Sequence, residues 1–201
     1  MPSVYDLKPA FQDLLRPVTR LLARIGITPN QVTVAAMVLS FAVGGVVLWW
    51  HRTRWVLLLI PLALLVRMAL NAIDGMLARE HHLTSKLGAI LNEVGDVLSD
   101  MALYLPFAAL PGVSGVLVVP VVLLAMVSEM TGVLAVQIGA QRRYDGPMGK
   151  SDRAVVFGLL AMMLGFGAQP GRWLDVVLVF ILALLVLTIF NRAHQALKEA
   201  P

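Results

Sequence analysis

Between positions 71 and 100 the sequence sets acids and amides among apolar neighbours. The first segment is Asn71-Ala-Ile-Asp74-Gly75-Met-Leu-Ala78-Arg79; after eight intervening residues comes Gly88-Ala-Ile-Leu-Asn92-Glu93-Val-Gly95-Asp96-Val-Leu-Ser-Asp100. A carboxylate in an apolar span is costly, which makes these acids candidates for function. Each helical residue advances about 100°, so Arg67, Asn71 and Asp74 share one face, and Asn92, Asp96 and Asp100 form a stripe on the next helix. A short connection lets these two faces meet as an oxygen-rich pocket. The chain has no cysteine, and the adjacent His81 and His82 point in different directions. Oxygen donors of this kind suit a hard cation, Mg²⁺ or Mn²⁺. Gly75 and Gly88 permit close approach of a bulky ligand, and the planar fork of Arg79 matches phosphate. Together these parts describe a metal-assisted diphosphate site.

The elements that position them are spans. The chain has 201 residues, 59% of them hydrophobic and 14% charged, with a mean hydropathy of +0.82. That balance excludes an ordinary soluble domain. A helix needs roughly 20 apolar residues to cross the hydrocarbon core. Six candidates run approximately over 31–50, 55–73, 87–110, 115–140, 154–168 and 174–190, the fifth being short and Gly-rich. The sequence thus predicts an all-α polytopic membrane protein, residues 1–201 forming a single membrane domain. Trp49, Trp50, Trp55 and Trp173 fall at span ends, where indole rings favour the interface. Residues 5–22 mix leucines with Lys8, Arg16 and Arg20, the pattern of an amphipathic interfacial helix, which Pro17 would kink or divide. No basic start with a short apolar run and a small-residue cleavage site is visible, so the first stretch is expected in the mature protein.

Charge sets the expected orientation. Twelve Lys and Arg fall on one side of the six spans against Arg52, Arg54 and Arg172 on the other, with Arg67 inside the second. The positive-inside rule then places both termini and the polar pocket in the cytoplasm. A net charge of +4 and a pI near 9.9 fit an anionic membrane surface; the cations lack the aromatic-interleaved pattern of nucleic-acid binding. The loop Arg142-Arg143-Tyr-Asp145-Gly-Pro-Met-Gly-Lys150-Ser-Asp-Arg153 gathers four of them. Positive-inside bias and a phosphorylated ligand both account for that loop. Arg67 is able to anchor a phosphate or to pair with an acid in the bundle, and Glu129, within the fourth span, reads as a bundle contact in preference to a metal ligand.

The two-part segment resembles the signature of the CDP-alcohol phosphotransferase (CDP-alcohol phosphatidyltransferase) family, D-x-x-D-G-x-x-A-R followed after seven or eight residues by G-x-x-x-D-x-x-x-D. Thr28-Pro29-Asn30 is similar to that family's TPN signature before its first span. The resemblance is strong from Thr28 to Asp100 and loose thereafter. It departs at two of four acids: Asn71 and Asn92 stand where the family has aspartates, while Asp74 and Asp96 match.

The resemblance implies six spans with cytoplasmic termini in a bacterial-type inner membrane, and a possible homodimer. It implies transfer of a phosphatidyl group from a CDP-linked lipid, with CDP-diacylglycerol the favoured donor, to an alcohol acceptor, releasing CMP in phospholipid synthesis. Its metal positions are Asn71, Asp74, Asn92 and Asp96, and Asp96 is the implied base. Thr33, Asp74, Gly75, Ala78, Arg79 and Gly88 fall at CDP-binding positions, and Arg142, Arg143, Lys150 and Arg153 in the acceptor-binding region, where a glycerol 3-phosphate type of acceptor is favoured. With four acids reduced to two, one divalent ion is expected in preference to two, Asp100 being a candidate to restore charge. Two other readings stay open: a catalytically reduced homologue that binds lipid or nucleotide, and a small transporter using the intramembrane acids.

Overall fold

A computed structural model describes residues 4–201, with side chains from Ala10 onward; the side chains of Tyr5, Leu7 and Lys8, part of the amphipathic pattern, lie outside the described residues. Regular structure among the described residues is helical throughout: α1 (Val4–Arg24), α2 (Pro29–Trp49), α3 (Leu59–Glu80), α4 (Lys86–Tyr104), α5 (Gly115–Leu134), α6 (Lys150–Gly165) and α7 (Arg172–Glu199). Short 3₁₀ segments at Arg54–Leu58, Leu105–Ala109 and Ala135–Ile138 precede α3 and follow α4 and α5.

Four helical stretches are long and apolar enough to cross a membrane: Pro29–Trp49, Arg54–Glu80, Gly115–Ile138 and Arg172–Glu199. α4 and α6 stand where the third and fifth spans are expected, without belonging to that group. α4 carries Lys86, Glu93, Asp96 and Asp100. The 16 residues of α6 reach about 24 Å, short of a core of roughly 30 Å. Helix ends differ from the apolar runs for local reasons. α3 continues beyond Ile73 to Glu80, which puts Asp74 to Arg79 on regular helix. Pro106 lies in the 3₁₀ segment after α4, where its missing amide donor interrupts the α ladder, and Gly139, at φ +85°, closes the turn after α5.

The chain divides into two compact units, Met1–Ala42 with Leu62–Ser99, and Val43–Pro61 with Asp100–Pro201. In the first, α1 runs as one helix through Pro17. Its Leu15, Leu22 and Ala23 pack on Val32, Ile73 and Leu77, while Leu14, Val18 and Leu21 on its other side are exposed. Burying a leucine such as Leu77 stabilises by about 1.5–3 kcal/mol. α1 ends at Gly26, at φ +80°. α2 then opens on a capping box: Gln31 Oε1 accepts from Thr28 N at 2.9 Å, and Thr28 Oγ1 from Gln31 N at 3.4 Å. Pro29 occupies the first helical position, where no amide donor is needed. The Thr-Pro-Asn-Gln run is therefore a helix-start signal in its own right.

In the second unit, Phe157 stacks on Tyr104, ring centroids 4.1 Å apart, and meets Phe107 edge-on at 5.3 Å. A Cβ on Gly44 would lie 1.9 Å from the Ala102 carbonyl oxygen, so only glycine allows that close backbone approach. Gly165 likewise makes room for Leu58, but Gly45 faces open space and serves no such contact.

Candidate active site

The first unit brings three helix faces together, one turn into α2, in the middle of α3 and along α4. Thr33 Oγ1 lies 2.9 Å from Asp74 Oδ2 and 3.1 Å from the Pro29 carbonyl. Its single proton is thus held between the acid and its own helix. On the neighbouring faces Asp96 Oδ1 accepts from Asn71 Nδ2 at 3.1 Å and from Arg67 Nη2 at 3.2 Å; the same guanidinium nitrogen reaches the Asp96 carbonyl at 2.9 Å. The two outcomes left open for Arg67 resolve to an ion pair with Asp96. Arg67 is buried at 4% exposure, whereas the Asp96 side chain keeps 19%.

Of the residues expected at the site, Thr33, Asn71, Asp74 and Asp96 converge. Asn92 is exposed on α4 one turn before Asp96, Arg79 is exposed, and Ala78 is half-buried. The glycines act on neighbours within the protein. A Cβ on Gly75 would lie 3.0 Å from Arg79 Nη2, so the guanidinium folds back over Gly75 on its own helix. At Gly88 a Cβ would lie 2.7 Å from Asn30 Oδ1, so the room expected for a ligand holds the asparagine of Thr28-Pro29-Asn30. Gly95, not singled out by its sequence context, admits Met37 in the same manner.

Asp100 is engaged elsewhere. It belongs to the second unit, where Oδ2 accepts from Arg153 Nη2 at 3.0 Å. Arg153, only 1% exposed, also donates to Glu129 Oε1 at 2.9 Å and to the Met148 carbonyl at 3.2 Å. Glu129 further pairs with Arg142 at 3.3 Å and Arg192 at 3.2 Å. It is the bundle contact that its position suggested, and the hub of a buried cluster. Of the four loop cations, Arg143 pairs with Asp145 at 2.8 Å and with Glu199, Arg142 lies over the Tyr144 ring, and Lys150 opens α6. Two hydrogen bonds from Arg143 hold the Asp145 carboxyl below its ordinary range and raise Arg143 in turn.

The loop itself is pinned. Arg143 N donates to the Gly132 carbonyl at 3.0 Å, Met148 N to Thr188 Oγ1 at 3.0 Å, and Arg192 Nε to the Asp145 carbonyl at 3.2 Å. Gly146, at φ +119°, lies flat on Thr188. Arg192 was legible only as a positive-side cation; its place directly after the apolar run of α7, on unbroken helix, was the available sign of a buried partner.

The residues present fit one divalent ion. Asp74, Asp96, Asn71 and Asn92 offer only oxygen to a metal, the donor type of Mg²⁺ and Mn²⁺. Their two carboxylates balance one such charge, and Arg67 already contributes a cation beside Asp96. Among the described residues no three His, Asp or Glu side chains are grouped so as to hold a metal ion, so any ion here would draw on the asparagine carbonyls as well.

The sequence profile of CDP-alcohol phosphatidyltransferases matches residues 26–195. Over 195 residues the chain is 43% identical to inner membrane protein YnbA of Escherichia coli (strain K12), covering 97% of this chain and 96% of that protein. It is 27% identical over 215 residues to phosphatidylinositol phosphate synthase of Mycolicibacterium smegmatis, covering 100% and 91% respectively. Crystal structures of Mycobacterium tuberculosis phosphatidylinositol phosphate synthase, one with CDP-DAG bound and one in complex with manganese and citrate, share the fold with a TM-score of 0.72 at 22% identity. Each covers 90% of this chain, and the chain covers 92% and 88% of those two. With its family signature spread over three helices of one unit and the profile matching most of its length, the chain belongs to the CDP-alcohol phosphatidyltransferase family.

Proposed function

We propose that the chain transfers a phosphatidyl group from CDP-diacylglycerol to an alcohol and releases CMP. The observation that carries this reading is the meeting of Asp96 with Asn71 and Arg67, beside the Thr33–Asp74 pair, within the family's two-part signature. Asp96 Oδ2 takes the proton of the acceptor hydroxyl. The alcohol oxygen then forms a bond to the β-phosphorus as the bond to the bridging anhydride oxygen breaks, and CMP leaves with that oxygen and its electron pair. Arg67 and Asn71 hold Asp96 by its other oxygen, which keeps the base oriented while it works. Thr33 fixes Asp74, and Arg79 meets the nucleotide phosphate. A single Mg²⁺ or Mn²⁺, held by Asp74 and Asp96 with the carbonyls of Asn71 and Asn92, would supply neutralisation of the diphosphate when bound.

Placement follows the same reading. Four membrane-compatible helices and 43% identity to an inner membrane protein support residence in the inner membrane. Adding α4 and α6 as shorter spans gives six, with both termini and the site facing the cytoplasm, a reading that the Lys and Arg distribution supports. The four cations of the loop, Arg142, Arg143, Lys150 and Arg153, support a phosphorylated acceptor of the glycerol 3-phosphate type.

The test is CMP release from purified protein given CDP-diacylglycerol, a panel of phosphorylated and neutral alcohols, and Mg²⁺ or Mn²⁺. Release is expected with at least one acceptor and none without metal. Binding of CDP-diacylglycerol with no release for any pairing would replace the transferase by a catalytically reduced lipid-binding homologue.

A further inference from the structure

Arg67 is the one charged residue inside the second apolar span before the signature begins, and no position of the signature calls for it. Its guanidinium lies at 4% exposure and spends one nitrogen on both the backbone carbonyl and the carboxylate of Asp96, at 2.9 and 3.2 Å. Asn71, the residue that replaces an acid of the pattern, donates to the same carboxylate oxygen at 3.1 Å. One of the two departures from a four-acid site, Asn71, therefore meets Arg67 on one atom. A negative ligand has become a neutral donor, and beside it stands a fixed positive charge.

From this juxtaposition we infer that Arg67 is a resident cation of the active site, standing in for a second divalent ion and restricting the site to one. The inference rests on the metal-site reading given under Proposed function. The electrostatics favour it on two counts. A guanidinium that is charged at every working pH cannot be displaced by protonation chemistry and has no acceptor atom to offer a metal. A second dication at Asp96 would have to displace both Arg67 and Asn71 from Oδ1 and then remain beside the uncompensated arginine in a partly buried setting, where like charges repel more strongly than in water. A first ion held at Asp74 does not have to displace the two donors from Asp96 Oδ1. Arg67 is thus a positioning residue for Asp96 and a selector of metal stoichiometry.

The inference separates from a merely structural ion pair by the sign of an effect. Losing a structural arginine loosens the site and weakens metal binding. Losing a resident cation removes repulsion, so metal binding tightens. The experiment counts and titrates Mn²⁺ on the full-length protein in detergent by electron paramagnetic resonance, without substrate or turnover. Arg67→Gln is expected to bind its ion about threefold more tightly, or better, while Arg67→Lys, which keeps the charge, stays near wild type. In the Asn71→Asp/Asn92→Asp double variant, with both acids restored and Arg67 retained, one ion per chain is expected. Adding Arg67→Gln to that pair brings a second ion.

Weaker Mn²⁺ binding by Arg67→Gln, or equal counts in the double and triple variants, would overturn the assignment. The single variant alone decides the matter should the triple variant fail to fold. Wild-type protein that binds no Mn²⁺, while the triple variant still gains an ion over the double, would overturn the metal reading under Proposed function and leave the role of Arg67 standing.

Discussion

The polar stripe of the first unit and the arginine cluster of the second are made from the same kinds of group, and they differ in what meets each carboxylate. Asp96 receives one guanidinium and one amide, and Asp74 a hydroxyl; the Asp96 side chain keeps 19% exposure. Glu129 is met by three guanidiniums, and its side chain keeps 8%. A buried acid ringed by guanidiniums serves as an anchor, because releasing any partner leaves an uncompensated charge. Asp96, which accepts from a guanidinium and an amide, is the acid that the proposed reaction uses. The contrast separates anchoring from chemistry in a chain where both are built from Asp, Glu and Arg.

Four measurements would break or sharpen that contrast. Asp96→Asn, which preserves shape, should reduce CMP release by about 10³-fold and also lower the unfolding temperature in detergent, since the buried Arg67 loses its carboxylate partner; turnover at the wild-type rate would move the base elsewhere. Glu129→Gln should act on stability above all, destabilising the fold by about 3–5 kcal/mol as three guanidiniums lose their common partner. An unfolding temperature equal to wild type would show that the cluster is no anchor. Thr33→Val removes a single hydroxyl bond to Asp74 and should cost about 1 kcal/mol, seen as a several-fold weaker Mn²⁺ affinity; no change would detach Thr33 from the site.

The smallest effect is a pH dependence. The carboxyl of Asp145 is depressed in the folded state, chiefly by its hydrogen bond from Arg143. Its stabilisation is therefore complete above the unfolded carboxylate range, near pH 4, and disappears as pH falls through the lower folded value. Stability measured from neutral pH downward should show this loss in wild type and lack it in Asp145→Asn.

Local pattern made much of this molecule legible. Runs of apolar residues located all six long helices after α1, and the 100° advance along a helix put Asn71 with Arg67 on one face, where both reach Asp96. Helix ends were less legible, since α3 and α7 extend through polar residues that packing and hydrogen bonding retain on the helix. Asp100 shows where the reading ran out. On the sequence it continues the stripe of Asp96, but its partner is Arg153, 53 residues away, and no periodicity within α4 reveals a buried guanidinium on another helix. Gly88 misleads for a similar reason: a missing Cβ announces close approach without saying whether a ligand or Asn30 makes it.

The hydrogen bond from Asn71 to Asp96 also bears on how this site would change under mutation. A single-base substitution separates an asparagine codon from an aspartate codon, so a return toward four acids looks short. Its first step at position 71, however, exchanges a donor for a like charge 3.1 Å from Asp96 Oδ1, a penalty relieved only if a further cation enters or a neighbour yields. Position 71 is therefore coupled to position 67, and the order in which changes accumulate there is restricted: Arg67, already on the same oxygen, offsets part of the new charge, so losing the arginine first makes the return to an acid costlier.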